Sequence, residues 1–255
     1  MIVSFANSKG GVLKTTLAVH LADWFRLHGC SVVLFDCDAQ RLSSRWLKVA
    51  RPEMRVLTPQ TPEEIVKQVS EASVSHDAVV VDAPGGLSEI TGAILQVTDA
   101  ALIPTGASQL DIMALDWTTE TIHEIQKLRD GLPQTAIIPT RVGRGRKTTE
   151  SLRQHASSMR FGITKSTIPY REVIVQSAGL RSPGNDGWKI PPSLVWDLGR
   201  RKQVREPALE IDAVFREVFA AACQENPRLI LERVTPRTKL KQTAEKEGHA
   251  AGSRT

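Results

Sequence analysis

A chain of 255 residues with 41% hydrophobic side chains can bury one substantial core, so a single globular domain is expected rather than a tether or an array of repeats. Its formal net charge of +5 and pI of about 9.3 suit an acidic partner such as nucleic acid, and no apolar run approaches the roughly 18 residues that cross a bilayer. The three cysteines, Cys30, Cys37 and Cys223, have no C-x-x-C spacing, which argues against a disulfide framework or a cysteine-held metal and for a reduced, cytoplasmic setting.

The chain opens on an apolar run, Ile2-Val3-Ser4-Phe5-Ala6, with no charged lead before it. Ser8-Lys9-Gly10-Gly11-Val12-Leu13-Lys14-Thr15-Thr16 follows, then a helical pattern of Leu17, Val19, Leu21, Ala22 and Phe25 that Gly29 is placed to end. At such a strand-to-helix turn several backbone N–H groups face one spot and the helix dipole adds positive potential, so an anion fits there. Lys14 is placed to reach the β- and γ-phosphates of a nucleotide, and the Thr15 hydroxyl to ligate a Mg²⁺ between them.

Ser31–Phe35 is a continuous apolar run closing on Asp36, and His76–Val81 is another closing on Asp82. Such runs suit strands buried on both faces of a parallel sheet. Ala100–Pro104, Thr135–Pro139 and Ser166–Pro169 continue the series, with helical stretches near 41–50, 62–72, 111–129, 148–159 and 206–224. Strands alternating with helices at this spacing predict an α/β fold with a doubly wound, mainly parallel sheet. Ligands then bind at the carboxyl ends of the strands, which gathers the loop, Asp36, Asp38 and Asp82 at one edge. Asp36 and Asp38 are two apart and face the same side of an extended chain, where a cation relieves their repulsion.

Two basic clusters follow: Arg141, Arg144, Arg146 and Lys147, then Arg200, Arg201, Lys202 and Arg205 ahead of the last long helix. Between them 179–192, rich in Gly and Pro and carrying Trp188, reads as a loop. Residues 226–255 hold seven Lys/Arg against three Glu and few aromatics, so 1–225 is expected to be the folded domain and 226–255 a flexible basic tail. The six histidines show no ligand spacing and read as packing or surface residues. Cys37, between two acids, is a poor site for a thiolate.

The loop, with Lys9 before its glycine pair, resembles the deviant Walker A motif of the ParA/MinD family of ATPases, and Asp36-Cys37-Asp38-Ala39-Gln40 resembles that family's D-x-D-P-Q element with Ala39 for the proline. Asp82 stands where the Walker B carboxylate does. Leu42-Ser43-Ser44-Arg45-Trp46, Ile103-Pro104-Thr105 with Leu110-Asp111, and Pro139-Thr140-Arg141 are similar to stretches of small plasmid-type ParA proteins, so the likeness spans about residues 1–225. One departure stands out: Leu13 occupies the position before the lysine where the family most often has Gly.

The resemblance implies that Lys9, Gly10, Gly11, Val12, Leu13, Lys14, Thr15 and Thr16 bind ATP, that Thr15, Asp36 and Asp82 hold Mg²⁺, and that Asp38 orients the attacking water. It also implies that Lys9 reaches across a homodimer, formed when ATP is bound, to the partner's nucleotide, with Lys9, Lys14 and Asp38 as the catalytic set. Arg141 either approaches the adenine or belongs to a basic patch. Arg200, Arg201, Lys202 and Arg205 correspond to arginines that touch DNA phosphates without sequence preference. A ParB-like or adaptor protein is implied as the partner that stimulates slow hydrolysis, and the chain is expected in the cytoplasm, on the nucleoid. The alternatives are a MinD-like membrane-positioned ATPase, for which Arg228-Leu229-Ile230-Leu231 is a short apolar face, and a nucleotide-dependent switch that barely hydrolyses. Iron–sulfur relatives need paired cysteines, amidoligase relatives an added domain, and kinase relatives a tyrosine-rich tail; this chain has one tyrosine, Tyr170.

Overall fold

A computed structural model describes residues 1–143, 146–181, 188–199 and 201–219. Arg144 and Arg200, the side chains of Arg146, Lys147 and Trp188, Cys223 and the basic tail 226–255 lie outside what is described. In chain order the elements are β1 (Ile2–Phe5), α1 (Lys14–Leu27), β2 (Val32–Asp36), α2 (Leu42–Ala50), β3 (Arg55–Leu57), α3 (Pro62–Ser75), β4 (Ala78–Asp82), α4 (Glu89–Val97), β5 (Ala100–Thr105) and α5 (Gln109–Leu128). There follow β6 (Gln134–Val142), α6 (Arg146–Ser158), β7 (Gly162–Ile163), β8 (Ile168–Pro169), α7 (Glu172–Ser177), β9 (Leu180–Arg181), β10 (Trp188–Ile190), a 3₁₀ turn (Val195–Asp197) and α8 (Lys202–Val218).

The main sheet runs β3-β2-β4-β1-β5-β6-β7, with β8 paired further along β6, and its strands are parallel throughout. Alternation along the strands decides which helix covers which face. Val33, Phe35, Val79 and Val81 point to one side, against Ile65 and Val69 of α3 and Ile94 of α4. Further along that side Ala101, Ile103 and Ile137 meet Leu115 and Ile122 of α5 and Leu152 of α6. Val3, Phe5, Leu34, Val80 and Leu102 point the other way, against Leu17 and Leu21 of α1 and Ile211 and Phe215 of α8. Period-two strands between period-3.6 helices thus give the doubly wound α/β fold that the sequence predicts.

Helix ends follow local chemistry. Thr61 accepts the Glu64 N–H at the start of α3, whose first residue is Pro62, and Ser108 forms a capping box with Asp111 at the start of α5. Gly29, at φ 83, closes α1 with a bond from the Cys30 N–H to Phe25 O at 3.1 Å.

Several elements depart from expectation. The stretch 179–192 is not all loop: β9 and β10 form an antiparallel ladder with Leu180 opposite Ile190. The last helix starts at Lys202, not near 206, and runs through Pro207. Burial of Val204, Pro207 and Ala208 against the core offsets the backbone hydrogen bond that a proline removes. The short pieces β3, α4, β7 and α7 have no counterpart among the predicted elements. Of these, α4 carries Gly92 and four β-branched residues, Ile90, Thr91, Ile94 and Val97, so its helicity comes from packing rather than propensity.

A polar core sits where α1 meets α2 and the 3₁₀ turn. Asp23, fully buried, accepts bonds from Arg51 Nε at 2.7 Å, Arg51 Nη2 at 2.9 Å, Arg26 Nε at 2.7 Å and Trp196 Nε1 at 2.8 Å. Burial works to raise the Asp23 carboxyl, but the guanidinium of Arg51, with Trp196 and Arg26, outweighs it and holds the group below its ordinary range. Beside it His20 accepts the Val195 N–H at 3.1 Å and packs edge-on against Trp46 and Trp196.

Candidate nucleotide site

The parallel register sets the site. Phe5 pairs with Asp82 and Asp82 with Asp36, so β1, β4 and β2 end abreast and their following loops open on one edge. The loop after β1 is held from both flanks. On one, Asn7 Nδ2 donates to Pro104 O at 2.8 Å, the Ser8 N–H to Thr118 Oγ1 at 3.0 Å and Ser8 Oγ to Ala114 O at 2.9 Å. On the other, Thr140 Oγ1 donates to Val12 O at 3.1 Å and Arg141 Nη1 to Gly11 O at 2.9 Å.

Within the loop Gly11 has φ 73 and Leu13 φ 75, both left-handed. Leu13 therefore adopts the backbone that a glycine takes without cost, at a strain of about 1–2 kcal/mol for an ordinary residue. Its side chain packs beside the core that holds Ile174 and Leu194 and lines a 280 Å³ cavity with Arg141, Tyr170 and Val175. Burial of the isobutyl group repays part of that strain.

The Lys14 ammonium is buried and donates to Asn7 O at 3.1 Å and Lys9 O at 2.9 Å. Burial lowers its pKa, and the charges of Asp82 and Asp38 act in the opposite sense, so cation and carboxylates share one field. Asp36, fully buried, accepts the Asp38 N–H at 3.2 Å and the Ser44 N–H at 2.9 Å, and its main-chain carbonyl accepts a bond from Arg41 Nη1. Asp38 is half-buried and accepts the Gln40 N–H at 2.8 Å.

Asp82 is the least satisfied of these acids. One oxygen accepts Thr15 Oγ1 at 3.3 Å; Oδ2, also buried, has no partner of full hydrogen-bond geometry, and the only hydroxyl acting on the carboxyl besides Thr15 is that of Ser43, itself buried and otherwise unbonded. Burial first, and then the Asp36 charge, push its carboxyl up to about 7. A buried carboxylate with no bonded cation, next to hydroxyls and a second carboxylate, fits a hard divalent cation such as Mg²⁺. Among the described residues no three His, Cys, Asp or Glu side chains are grouped to hold a metal by themselves. That also fits Mg²⁺, which keeps water and substrate phosphate in its shell. The Cys37 thiol is pushed far up by burial and by Asp82 and Asp36, so it carries no thiolate.

Lys9, Gly10, Gly11, Val12, Leu13, Lys14, Thr15, Thr16, Asp36, Asp38, Asp82 and Arg141 are thus brought to one edge of the sheet. Arg201 and Lys202, both exposed, and Arg205, half-buried, stand at the cap and first turn of α8 rather than ahead of it; the first two line a 940 Å³ cavity between α7 and α8 whose Tyr170 and Arg171 also line the cavity beside Leu13. Sequence reasoning passed over Arg41, Tyr170 and the role of Asp111. Tyr170 is over half exposed, with the Arg141 guanidinium 5.9 Å from its ring centre. The pairing of Asp111 with Lys9 spans 102 residues, and no local pattern announces it.

A parallel sheet with a glycine-rich turn after β1, a buried lysine and threonine opening α1, and paired carboxylates at the ends of β2 and β4 defines a P-loop nucleotide-binding protein. Residues 3–182 match the description "CobQ/CobB/MinD/ParA nucleotide binding domain". The chain belongs to this family and, within it, to the ParA/MinD ATPases. It is similar to Protein ParA of Rhizobium radiobacter, 28% identical over 186 residues, covering 72% of this chain and 84% of the relative. Protein virC1 of the same organism is 29% identical over 178 residues, 67% of this chain and 77% of the relative. Among solved structures, apo McdA of Cyanothece superposes with a TM-score of 0.59 at 17% identity over 69% of this chain and 88% of that one, a likeness of fold. No described helix is long and apolar enough to cross a membrane.

Proposed function

We propose that this chain is a ParA-type positioning ATPase that binds ATP with Mg²⁺, dimerises around two nucleotides and is released by hydrolysis. The observation that carries the reading is the buried Asp82 carboxylate at the end of β4, with no bonded cation and one oxygen short of a well-formed bond, beside Thr15 and Lys14 at the end of the glycine-rich turn. Lys14 and the backbone N–H groups of residues 10–16 hold the phosphates; Thr15 and Asp82, with Asp36 behind them, hold the cation; Asp38 orients the attacking water. Mg²⁺ supplies neutralisation of charge on the transferred oxygens, and positioning by the chain does most of the rest. The 280 Å³ cavity beside Gly11 and Leu13 takes the nucleobase, with Arg141 and Tyr170 as its polar and aromatic walls.

Dimerisation accounts for two further features. Lys9 stands at the mouth of the loop, half-exposed. Next to it α5 shows solvent an apolar stripe, Leu110, Met113 and Trp117, of the kind that a second subunit covers. Residues 1–225 form the ATPase domain and 226–255 a basic tail. Arg200, Arg201, Lys202 and Arg205 contact DNA phosphates without reading sequence, and a partner protein accelerates turnover. The cargo is a plasmid, a chromosome region or a protein assembly, positioned on the nucleoid in the cytoplasm.

The test is retention of plain duplex DNA by the full chain with ATP, ADP or no nucleotide, across a salt series. Binding that needs ATP and weakens steeply with salt is expected. Retention indifferent to nucleotide sinks the switch, and calorimetry showing no uptake of ATP·Mg²⁺ sinks the whole reading.

A further inference from the structure

The reading above asks Lys9 to serve a nucleotide on a second copy, yet here Lys9 is engaged on its own protomer. Its ammonium pairs with the carboxylate of Asp111. The contact is built rather than incidental. Ser8, the preceding residue, bonds to Thr118 and Ala114 of α5, so loop and helix hold a fixed distance. Asp111 is fixed in turn: its Oδ2 accepts the Ser108 N–H at 3.0 Å and the Ser108 hydroxyl at 2.5 Å, which leaves Oδ1 for Lys9. Burial works to raise the Asp111 carboxyl, but the bonds from Lys9 and Ser108 prevail and hold it below its ordinary range.

Room for that carboxylate is provided by Gly106. Its φ lies outside the left-handed region, so conformation does not demand a glycine there; a Cβ, however, would stand 2.7 Å from Asp111 Cγ. Beside the pair, a 430 Å³ cavity lined by Lys9, Gly10, Gly106, Ser108, Asp111 and Arg141 gives the lysine stem space to swing away.

We infer that Asp111 is a positioning residue for Lys9: it holds the ammonium on its own subunit, and ATP-driven association has to break that pair. The inference rests on the proposed cross-subunit role of Lys9. An ion pair only partly shielded from water is weak enough for a triphosphate to displace, yet still adds a threshold. Forming one dimer frees two lysines, so the threshold counts twice.

The test is sedimentation of the full chain with Mg²⁺ and a non-hydrolysable ATP analogue, alongside calorimetry and thermal melts. Asp111→Asn removes the charge and keeps an acceptor for Ser108. It should tighten the dimer constant about tenfold while leaving the melting temperature and the monomer's nucleotide affinity near wild type. In a Lys9→Gln background the same change should have no effect on association. Gly106→Ala displaces the carboxylate without altering any charge, should tighten the dimer likewise, and decides the matter if Asp111→Asn does not fold. A wild type that dimerises while both variants associate equally well or more weakly overturns the role of Asp111 alone. A wild type that binds the analogue and stays monomeric overturns the cross-subunit role of Lys9, and this inference with it.

Discussion

Asp23 and Asp82 are both carboxylates with no exposure to solvent, and the protein treats them oppositely. Around Asp23, in the middle of α1, two arginines and a tryptophan fill every acceptor, and the carboxyl sits below its ordinary range. Around Asp82, facing the start of the same helix, there are two hydroxyls, Thr15 at 3.3 Å and Ser43, a neighbouring acid, no bonded cation and an oxygen without a well-formed bond, and the carboxyl rises to about 7. Where the chain supplies the countercharge itself, a buried acid stabilises the fold. Where the chain's own cation, Lys14, acts only at a distance and makes no bond to it, the acid stays raised, and the proposed function uses it for a cation from solution.

Breaking the satisfied region is expected to have the largest effect. Asp23→Ala takes the acceptor from the Trp196 N–H and from Arg51 Nε, leaving Arg51 only Asp197 as a carboxylate partner, and should cost about 3 kcal/mol in denaturant unfolding. A loss under about 1 kcal/mol would erase the contrast with Asp82.

His20 tests the same region by pH. Burial holds its imidazole at about 4, against an ordinary value of 6.5. The unfolded chain therefore takes up this proton before the folded one does. Stability from the neutral ring is complete above pH 6.5 and declines between there and pH 4, by up to about 3 kcal/mol. Asp23 adds its own loss only at lower pH, as protons reach a carboxyl whose value is depressed by folding. The raised Asp82 carboxyl shifts stability the opposite way over the same window, so the measurement is made in an Asp82→Asn background, where unfolding curves that do not move between pH 6.5 and 4 would show that the ring is not buried as described.

At the other end the sign reverses. Asp82→Asn removes a charge that the nucleotide-free fold does not neutralise, so it should raise stability by roughly 2 kcal/mol while abolishing the gain that Mg²⁺ gives to ATP binding. Destabilisation together with intact Mg²⁺ dependence would place the cation elsewhere.

The smallest effect is expected at Leu13. Leu13→Gly relieves left-handed strain but loses burial, and should stay within about 1 kcal/mol of wild type. Leu13→Ala keeps the strain, loses the same packing, and should fall further in calorimetric melts.

What the sequence conveyed and what it hid follow from the range of the interactions. The turn between Ile2–Ala6 and Leu17–Phe25, the apolar strands ending in Asp36 and Asp82, and the parallel α/β order depend on neighbours within a few residues, and the structure has them where the residues placed them. The backbone of Leu13 was legible only as a question, because nothing in its neighbours says whether a leucine accepts a positive φ; the structure answers at 75°. His20 reads as a packing residue and is one, but its bond to Val195 spans 175 residues and its ring environment could not be guessed. The same holds for Asp111, visible as a helix-capping residue and silent about Lys9. Helix α4, held by the core through Ala93, Ile94 and Leu95, had too little propensity of its own to announce itself.

Both margins of the main sheet are short. On one side β3 has three residues; on the other the long strand β6 is flanked by two separate two-residue pieces, β7 and β8. Between those pieces the main-chain N–H groups of Lys165 and Ser166 are already occupied by the Glu217 carboxylate of α8. A foreign strand approaching either margin meets few consecutive free backbone groups, so the sheet gives little template for stacking one molecule onto the next at high concentration.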